Sequence, residues 1–445
     1  MSLQAPQTVQ KLQATLYAKA KGAPSFRFYS LYDKIYREDV LKYAYRCGRQ
    51  KRGTPGVDGM SFGEIERRGV ERWLGALAEE LKERTYRPEA VKRVRVPKRE
   101  GGERALGIPT VKDRVIQTAA VIVLGPIFEA DLPEEQYAYR PGRSAHDAII
   151  RVHRLINRGY REVVEADLRG YFDEIPHREL IKSLARRISD GAVLKLLKQW
   201  MEMPVEEERE EGGTHRSARN RKTRKGIPQG SPISPLLANI YMRRFILGWR
   251  KRVGKGRDKG EVVNYADDLV ICCRRGGEEA LRTLNELMIK LKLAINERKT
   301  RVCYMPRNVF DFLGYTVGRC YSPRTGESYL GTRPSRGAIK RVCRQISELT
   351  TVRWTPLPAD ERVRKLNSIL RGWGNYFRLG PVSKAYKGID AHTRKRLRQW
   401  LCAKHKIRGR GLSRFPDEYL YQNMGLYCLE KQTRNFPWAK AECHG

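Results

Sequence analysis

The sequence predicts an α+β fold in which a small antiparallel sheet is backed by helices. Two apolar segments, Val262–Tyr265 and Leu269–Cys272, flank a pair of aspartates, and a third, Val163–Leu168, carries another aspartate near its end. Short apolar runs of this kind are typical of buried strands. His177–Met203 and Glu278–Leu293 instead have apolar residues at helical spacing. Short strands combined with amphipathic helices indicate an α+β domain.

The first hundred residues are predicted to be mainly helical. Residues 1–50 read as a Tyr-rich helical extension that ends in a basic cluster, and Glu64–Arg84 has a second helical pattern. Between them, Gly53–Gly59 is rich in turn residues and predicts a loop. Val91–Pro97 alternates basic and apolar residues, as a half-buried strand does, and Lys98–Gly102 then predicts a tight turn.

Two further segments are assigned from their end signals and their charge. A helix is predicted to begin at Ser144, with Asp147 three residues later as in a capping box, and to stop at Gly159. The acidic run Glu206–Glu211 is followed by the basic run Arg216–Lys225. Charge segregated in this way predicts a solvated, exposed loop.

Composition indicates a polyanionic partner. The chain of 445 residues has 89 Lys and Arg against 50 Asp and Glu, a formal net charge of +39. So large an excess is most simply explained by binding to nucleic acid. The nine cysteines form no Cys-x-x-Cys pair, which argues against a disulfide framework and a structural zinc site. Without a signal-like N-terminus or a membrane-length apolar run, we expect a cytoplasmic protein with no membrane partner.

The composition changes after residue 330. Basic residues outnumber acidic ones by about three to one over 331–445. Aromatic residues are interleaved with this charge: Trp354, Trp373, Tyr376, Phe377, Tyr386 and Trp400. Two interpretations stay open, since aromatic planes beside cations suit irregular RNA, whereas the same residues can form the core of a helical bundle.

Three carboxylates carry the candidate chemistry. Asp267 and Asp268 lie between two predicted strands, and Asp167 lies near the end of a third. If these strands are neighbours, the carboxylates meet at one edge of the sheet and suit hard cations such as Mg²⁺. A pair of such ions serves phosphoryl transfer in polymerases and nucleases. The alternative for Asp267 and Asp268 alone is a solvated hairpin turn.

Several motifs, in order, resemble those of the reverse transcriptases encoded by bacterial group II introns, and the resemblance covers nearly the whole chain. They are Arg104–Pro109 with Lys112–Gln117, Arg140–Ser144, Asp167, Gly226–Tyr241, Tyr265-Ala266-Asp267-Asp268, Asn296 with Lys299-Thr300, Phe312–Tyr315, Arg371–Phe377 and Asp417–Leu426. The resemblance implies a right-hand polymerase. It divides the chain into an N-terminal extension with the start of the fingers (1–90), fingers and palm (91–330), and a helical thumb or maturase domain that binds RNA (331–445).

The resemblance also implies roles for individual residues. The catalytic residues are Asp167, Asp267 and Asp268, which with Leu168 form the site for two Mg²⁺ ions, with Mn²⁺ as a substitute. The implied nucleotide-binding residues are Lys98, Arg104, Phe172, Gln229, Gly230 and Lys299, and among them Phe172 would exclude a ribose 2′-hydroxyl. The implied RNA contacts are Arg371, Trp373, Tyr376, Arg394, Lys395 and Arg396.

The function implied is an RNA-directed DNA polymerase that acts on an RNA template, a DNA primer or target and dNTPs, and that binds its intron RNA to assist splicing and mobility. Ile227 stands where many relatives have Thr, and the ending Cys443-His444-Gly445 suggests the compact kind without an HNH endonuclease domain. Alternatives are an RNA-binding splicing cofactor and a domesticated or defence reverse transcriptase without an intron. RNA-directed RNA polymerases are disfavoured, because they generally have Gly where this chain has Ala266.

Overall fold

The computed structural model describes residues 3–97, 103–208, 213–253, 260–322 and 324–431. The ending at Cys443–Gly445 therefore lies outside the described residues. Two compact units make up the chain: the first is Met1–Ser144, Ala166–Leu269 and Glu278–Thr300, and the second is Ala145–Glu165, Val270–Gly277 and all residues from Arg301 on. Across the described ranges, every helix is too short or too polar to cross a bilayer.

Helices dominate both units, and the strands are short. The helices are α1 (Gln7–Gly22), α2 (Tyr32–Ile35), α3 (Glu38–Gln50), α4 (Phe62–Arg68), α5 (Val70–Lys82), α6 (Val111–Glu129), α7 (Ala145–Asn157), α8 (Tyr171–Glu174), α9 (His177–Ala185), α10 (Gly191–Met201), α11 (Arg219–Thr223), α12 (Ser234–Val253), α13 (Gly277–Lys290), α14 (Arg336–Leu349), α15 (Ala359–Tyr376) and α16 (Ser383–Lys404). The strands are β1 (Val91–Pro97), β2 (Glu103–Ile108), β3 (Glu162–Asp167), β4 (Val205–Glu208), β5 (Thr214–Ser217), β6 (Glu261–Tyr265), β7 (Asp268–Cys273), β8 (Arg301–Tyr304), β9 (Phe310–Phe312), β10 (Tyr315–Tyr321) and β11 (Ser328–Pro334).

The N-terminal region is helical, as predicted, but its second helical pattern forms two helices. Gly69, with φ of 95°, separates α4 from α5 because this backbone conformation suits glycine and ends a helix. Ser61 begins α4 with a capping box that includes Glu64. The core of the first unit lies around α6, which packs against α1, α2, α3 and α12.

The prediction of a single long helix over His177–Met203 is wrong. The segment is helical, but it forms two helices, α9 and α10, with a break between them. Asp190 lies in the break, and its carboxylate accepts hydrogen bonds from the backbone N–H groups of Ala192 and Val193 at 3.0 and 3.2 Å. An Asp at this position starts a new helix by satisfying N–H groups that lack a partner in the first turn. The break was not predicted because the helical spacing of apolar residues continues across it.

The charge-segregated stretch predicted as an exposed loop instead contributes two strands. β4 pairs antiparallel with β5, and it also pairs in parallel with β1 to give a four-stranded sheet of order β2–β1–β4–β5. Arg93 on β1 donates a 2.8 Å hydrogen bond to Glu207 on β4. The acidic run therefore complements the basic strand β1, a partner more than one hundred residues earlier in the sequence.

The α+β class is confirmed, with small sheets packed among helices. A second four-stranded sheet has the order β6–β7–β3–β8, and β3 runs antiparallel to β8 with Val164 opposite Val302. Residues of β7 from Leu269 to Cys273 are buried. This sheet carries Asp167 at the end of β3 and Asp268 at the start of β7.

The second unit contains a three-stranded sheet and most of the C-terminal helices. The sheet has the order β11–β10–β9 and is antiparallel, with Gly318 opposite Gly331 in the central pair. α14 and α16 pack together, and α15 packs against α14. Helical structure in the C-terminal third is as predicted. The boundaries proposed at residues 90 and 330 remain predictions.

Candidate functional site

The hairpin between β6 and β7 carries the paired aspartates on a constrained turn. Ala266 adopts φ of 58°, in the left-handed region that non-glycine residues seldom occupy. The buried side chain of Asn264 donates hydrogen bonds to the carbonyl oxygens of Ala266 and Asp268, at 2.9 and 3.3 Å. These bonds hold the turn in its conformation and fix the direction in which Asp267 and Asp268 leave it.

A network of buried amides supports this hairpin, and sequence reasoning missed it. The backbone N–H of Asn264 donates to Glu135 O at 2.8 Å, and the N–H of Tyr137 donates to Asn264 O at 2.9 Å. Gln136 Nε2 donates to Asn239 O at 3.0 Å, on α12. The sequence does contain a signal for this role. Asn264 is an isolated polar residue inside an apolar strand, and a buried polar side chain of this kind needs a hydrogen-bond partner.

Asp167 is held by residues that follow α13. Its Oδ2 accepts a 3.0 Å hydrogen bond from Asn296 Nδ2, and Lys299 Nζ lies 3.8 Å from the same oxygen. The backbone N–H of Asn296 also donates to Asp167 O at 2.8 Å. Asn296 and Lys299 thus lie beside Asp167.

Asp167 and Asp268 belong to adjacent strands, since β3 neighbours β7 in the sheet, and Asp267 lies in the turn that leads into β7. Among the described residues, no group of three or more His, Cys, Asp and Glu side chains is close enough to hold a metal ion as it stands. The donor set nevertheless fits a hard divalent cation in its chemistry, because every side-chain donor is a carboxylate oxygen. Leu168 is buried and can offer only its backbone carbonyl.

Phe172 lies on the short helix α8, beside the segment that precedes α12. Its carbonyl oxygen accepts a 2.8 Å hydrogen bond from the backbone N–H of Ile227. Its neighbour Tyr171 is buried and donates a 2.6 Å hydrogen bond to Ala238 O. Burial, together with the charges of Tyr241 and Asp267, raises the pKa of Tyr171 well above its ordinary value. Tyr171 therefore anchors α8, and the ring of Phe172 stays partly exposed.

The Pro228-Gln229-Gly230 turn meets strand β2 at close range. The backbone N–H of Gly107 donates a 2.6 Å hydrogen bond to Gln229 O. Gly230 has φ of 109°, and a Cβ atom at this position would lie 2.5 Å from Gly107 O. The turn therefore requires glycine for both its conformation and its contact with β2.

The remaining nucleotide-binding candidates lie on the β1–β2 hairpin. Lys98 lies outside the described residues. Arg104 is in β2 with its backbone opposite Val96, and its side chain is also outside the described part. Their predicted contact with nucleotide phosphates stays a prediction.

The aromatic RNA-binding candidates are integrated into the second unit. Trp373 is 9% exposed, and its ring centroid lies 4.5 Å from that of Phe377 and 5.8 Å from that of Tyr386. Tyr376 is partly buried and donates a 2.8 Å hydrogen bond to Leu313 O. This packing favours the second interpretation of Trp373, a core aromatic of a helical bundle, over a surface on which bases stack.

The basic candidates divide into two pairs. Arg394 forms a 2.9 Å ion pair with Asp417, and Arg396 donates to Ser347 O and Thr350 O at 3.2 and 3.1 Å, close to the end of α14. Both therefore contribute to the packing of the helices. Arg371 and Lys395 are exposed, and the guanidinium carbon of Arg371 lies 4.9 Å from the ring centroid of Tyr427.

The candidate site and the helical C-terminal region match two known families. Residues 96–317 match the family described as reverse transcriptase (RNA-dependent DNA polymerase), and residues 339–415 match the group II intron, maturase-specific domain. All three catalytic candidates and Phe172, Gln229, Gly230 and Lys299 lie within the first match. Enzymes with this domain generally use divalent metal ions.

Individual relatives agree with these matches. Protein YkfC of Escherichia coli (strain K12) is 33% identical over 358 residues, which cover 72% of this chain and 90% of YkfC. The group II intron-encoded protein LtrA of Lactococcus lactis subsp. cremoris is 27% identical over 359 residues, which cover 65% of this chain and 57% of LtrA. The match thus leaves over a third of LtrA uncovered. The chain belongs to the family of group II intron-encoded reverse transcriptases with a maturase domain, and its polymerase domain is that of an RNA-directed DNA polymerase.

Proposed function

We propose that this protein copies RNA into DNA with two Mg²⁺ ions held by Asp167, Asp267 and Asp268. The observation that carries the proposal is that Asp167 ends β3, Asp268 begins the neighbouring strand β7 and Asp267 lies in the turn just before β7. The backbone carbonyl of Leu168 is a further candidate ligand. When bound, the ions would activate the attacking 3′-hydroxyl and stabilise the leaving pyrophosphate.

The residues of the chain position the substrates around this carboxylate group. Asn296 holds the Asp167 carboxylate in one orientation, and Lys299 supplies positive charge beside it. We assign the Pro228-Gln229-Gly230 turn to the incoming dNTP and the partly exposed ring of Phe172 to exclusion of a 2′-hydroxyl. Lys299 could then donate a proton or a charge-assisted hydrogen bond to pyrophosphate, and Lys98 and Arg104 would contact the triphosphate.

Extension of a DNA primer on an RNA template tests this assignment, with wild type and Asp267→Ala compared in Mg²⁺ and dNTPs. We expect the variant to lose at least about a thousandfold in rate, because a metal ion supplies several kcal/mol of transition-state stabilisation. Asp360→Ala is the matched control, since Asp360 is exposed and forms an ion pair with Arg364 four residues away. Equal extension by wild type and Asp267→Ala would overturn the assigned metal ligands.

Metal binding has its own readout. Mn²⁺ binding can be followed by electron paramagnetic resonance in the complex with primer and template. Wild type should bind two ions with dNTP present, and Asp267→Ala should bind fewer. An unchanged number of bound ions would contradict the proposed ligand set even if activity were lost.

We further propose that the chain binds its group II intron RNA and assists splicing and mobility by target-primed reverse transcription. The specific support is the match of residues 339–415 to the maturase-specific domain. Splicing of the intron RNA that flanks the coding sequence, with and without protein, tests it. Polymerase activity without any effect on splicing would favour a domesticated or defence enzyme, whereas splicing assistance without extension would favour a splicing cofactor.

A further inference from the structure

A cavity of about 350 Å³ lies among α6, α9 and α12 in the first unit. Its lining residues are Phe128, Asp131, Lys182, Ser183, Arg186, Arg187, Ile240, Arg243, Arg244 and Leu247. None of the residues assigned above to metal, nucleotide or RNA lines it. The volume is within the usual range for small-molecule sites, which begins at about 300 Å³. The cavity is therefore large enough for a ligand and is separate from the polymerase candidates.

Five of the ten lining residues are cationic, and only one is acidic. Arg187 is 1% exposed, and its Nε has no hydrogen-bond partner although Asp131 Oδ2 lies 3.4 Å away. The other nitrogens of Arg187 donate to carbonyl oxygens at the end of α1, including Ala20 O at 2.7 Å. The single carboxylate of the cavity is thus already shared with a buried cation.

The remaining cations at the cavity are only partly neutralised. Arg243 Nε donates to the carbonyl oxygen of Asp131 at 2.9 Å, a neutral acceptor, and burial and the nearby Arg186 charge lower its pKa. Arg244 and Lys182 share Glu179, at 3.1 and 3.7 Å. Like charges held together in this way favour the binding of an anion, and arginine suits phosphate in particular.

The walls of the cavity are apolar where the cations are absent. The half-buried Leu247 supplies most of this surface, and Phe128 and Ile240, each 3% exposed, contribute the edges of their side chains. Apolar and aromatic side chains can receive the flat face of a base, whereas a free inorganic anion would gain nothing from them. The combination of an apolar wall with guanidinium groups is the chemistry that recognises a nucleoside phosphate.

We propose that this cavity binds a nucleoside phosphate, with the base against Phe128, Ile240 and Leu247 and the phosphate at the arginines. The ligand is either a nucleotide turned out from a bound RNA strand or a free nucleotide. The net charge of +39 makes an RNA strand the expected source. The inference does not depend on the metal assignment, since the cavity shares no residue with it.

Photocrosslinking with 4-thiouridine tests the proposal. Wild-type protein in EDTA, which removes divalent metal, is irradiated with a short RNA that contains one 4-thiouridine, or with 4-thiouridine monophosphate, and the crosslinked peptides are identified by mass spectrometry. We expect crosslinks in the peptides that contain Phe128 or Leu247. Crosslinks with the RNA alone identify a strand nucleotide as the ligand, and crosslinks with the monophosphate identify a free nucleotide.

Charge reversal distinguishes this site from general binding to a basic surface. Lys182→Glu combined with Arg186→Glu should reduce these crosslinks by about tenfold, the effect of losing on the order of one phosphate contact. Both side chains are exposed, so the variant should fold. Arg178→Glu combined with Lys195→Glu is the matched control, because it makes the same change of net charge at exposed residues of α9 and α10 outside the cavity.

A second variant, Ser183→Trp, fills the cavity without a change of charge and should also lose the crosslinks. Crosslinks absent from the cavity peptides in wild type, or unchanged in both cavity variants, would overturn the proposal. Primer extension measured on the same proteins separates the two hypotheses, since a failure of the nucleoside phosphate site would leave the polymerase assignment intact.

Discussion

A Cβ atom on Gly230 would lie 2.5 Å from Gly107 O, so β2 leaves no room for a side chain on Gly230. We expect Gly230→Ala to weaken dNTP binding and slow extension by tenfold or more, on the order of 1 to 3 kcal/mol of strain, because the backbone must leave its left-handed conformation and move from β2. Steady-state KM and kcat for dNTPs measure the effect. Gly75→Ala on α5 is the control, since a Cβ there meets nothing within 4 Å. Wild-type kinetics in Gly230→Ala would contradict the role of this turn.

Phe172 offers a test of sugar selection. If its ring excludes a 2′-hydroxyl, Phe172→Ala should raise kcat/KM for ribonucleotides relative to deoxyribonucleotides by about tenfold or more. Single-nucleotide incorporation with each substrate measures the ratio. Tyr17→Ala removes an aromatic ring that is 41% exposed on α1 and should leave the ratio unchanged. An unaltered ratio in Phe172→Ala would assign the ring to packing alone.

Asp113 makes stability depend on pH. Burial raises its pKa to about 6, although Tyr86 and Thr110 donate hydrogen bonds to it. Because the folded state binds this proton more tightly than the unfolded chain, the group stabilises the fold below about pH 4 and loses that contribution as pH rises through 6. The difference in unfolding free energy between wild type and Asp113→Asn should therefore change by about 2 kcal/mol between pH 4 and 7, with denaturant unfolding as the measurement. A difference that is constant with pH would contradict the raised pKa.

At the level of single residues, the sequence identified side chains whose chemistry is unusual for their position. Asp167, Asp267 and Asp268 are conspicuous because carboxylates are rare at the ends of apolar strands. Asn264 was not identified, although it fixes the turn that carries two of them. Its role depends on carbonyl groups brought close by the hairpin and on the Glu135–Tyr137 segment, and spacing along the chain does not encode these.

Between elements, one carboxylate joins an N-terminal segment to α10. Asp190 accepts the N–H groups of Leu31 and Tyr32 at 2.8 and 2.9 Å, in addition to two in the first turn of α10. Asp190→Ala should lower the free energy of unfolding by about 2 kcal/mol or more, since it removes a helix cap and leaves buried donors unsatisfied. Urea denaturation measures it, with Asp360→Ala as the control. A loss below about 0.5 kcal/mol would show that water replaces the carboxylate.

Helices and strands were predicted well where the local sequence pattern determines them, and less well where pairing with a distant strand determines them. Val91–Pro97 was identified as a strand by its alternation, and α7 was found from its start and stop signals. The β4–β5 pair was predicted as a loop, because its acidic and basic runs looked solvated in isolation. In the folded chain β4 pairs with the basic strand β1. Such long-range pairing determines the secondary structure here, although the local charge pattern favours a loop.

For the whole molecule, charge should dominate the affinity for RNA. Binding should weaken steeply with salt, and Lys395→Ala should reduce the slope of log K against log salt by about 0.7 if this exposed side chain contacts a phosphate. Filter binding at several salt concentrations measures the slope. Lys340→Ala serves as the comparison, because it removes the same charge from another exposed lysine, on α14. Equal slopes for wild type and Lys395→Ala would remove Lys395 from the RNA surface.

The contiguous domains bounded at residues 90 and 330 remain predictions for the whole molecule. The compact units are each assembled from separate segments, with boundaries inside β3 and β7 that depend on contacts between residues far apart in the sequence. Composition indicated an RNA-binding region but could not tell a stacking aromatic from a core one. Trp373 illustrates this, because its neighbours Phe377 and Tyr386 are known only once the helices are packed.

The hydrogen bond from Gly107 to Gln229 has a mechanical consequence for the enzyme. Since β2 pairs along its length with β1, a displacement of this hairpin would move Gln229 O and with it the Pro228-Gln229-Gly230 turn, which we propose contacts the incoming dNTP. We therefore expect substrate choice to respond to substitutions on the outer hairpin that touch no nucleotide. A variant library restricted to Val91–Ile108 that leaves Lys98 and Arg104 unchanged should then contain mutants of altered fidelity.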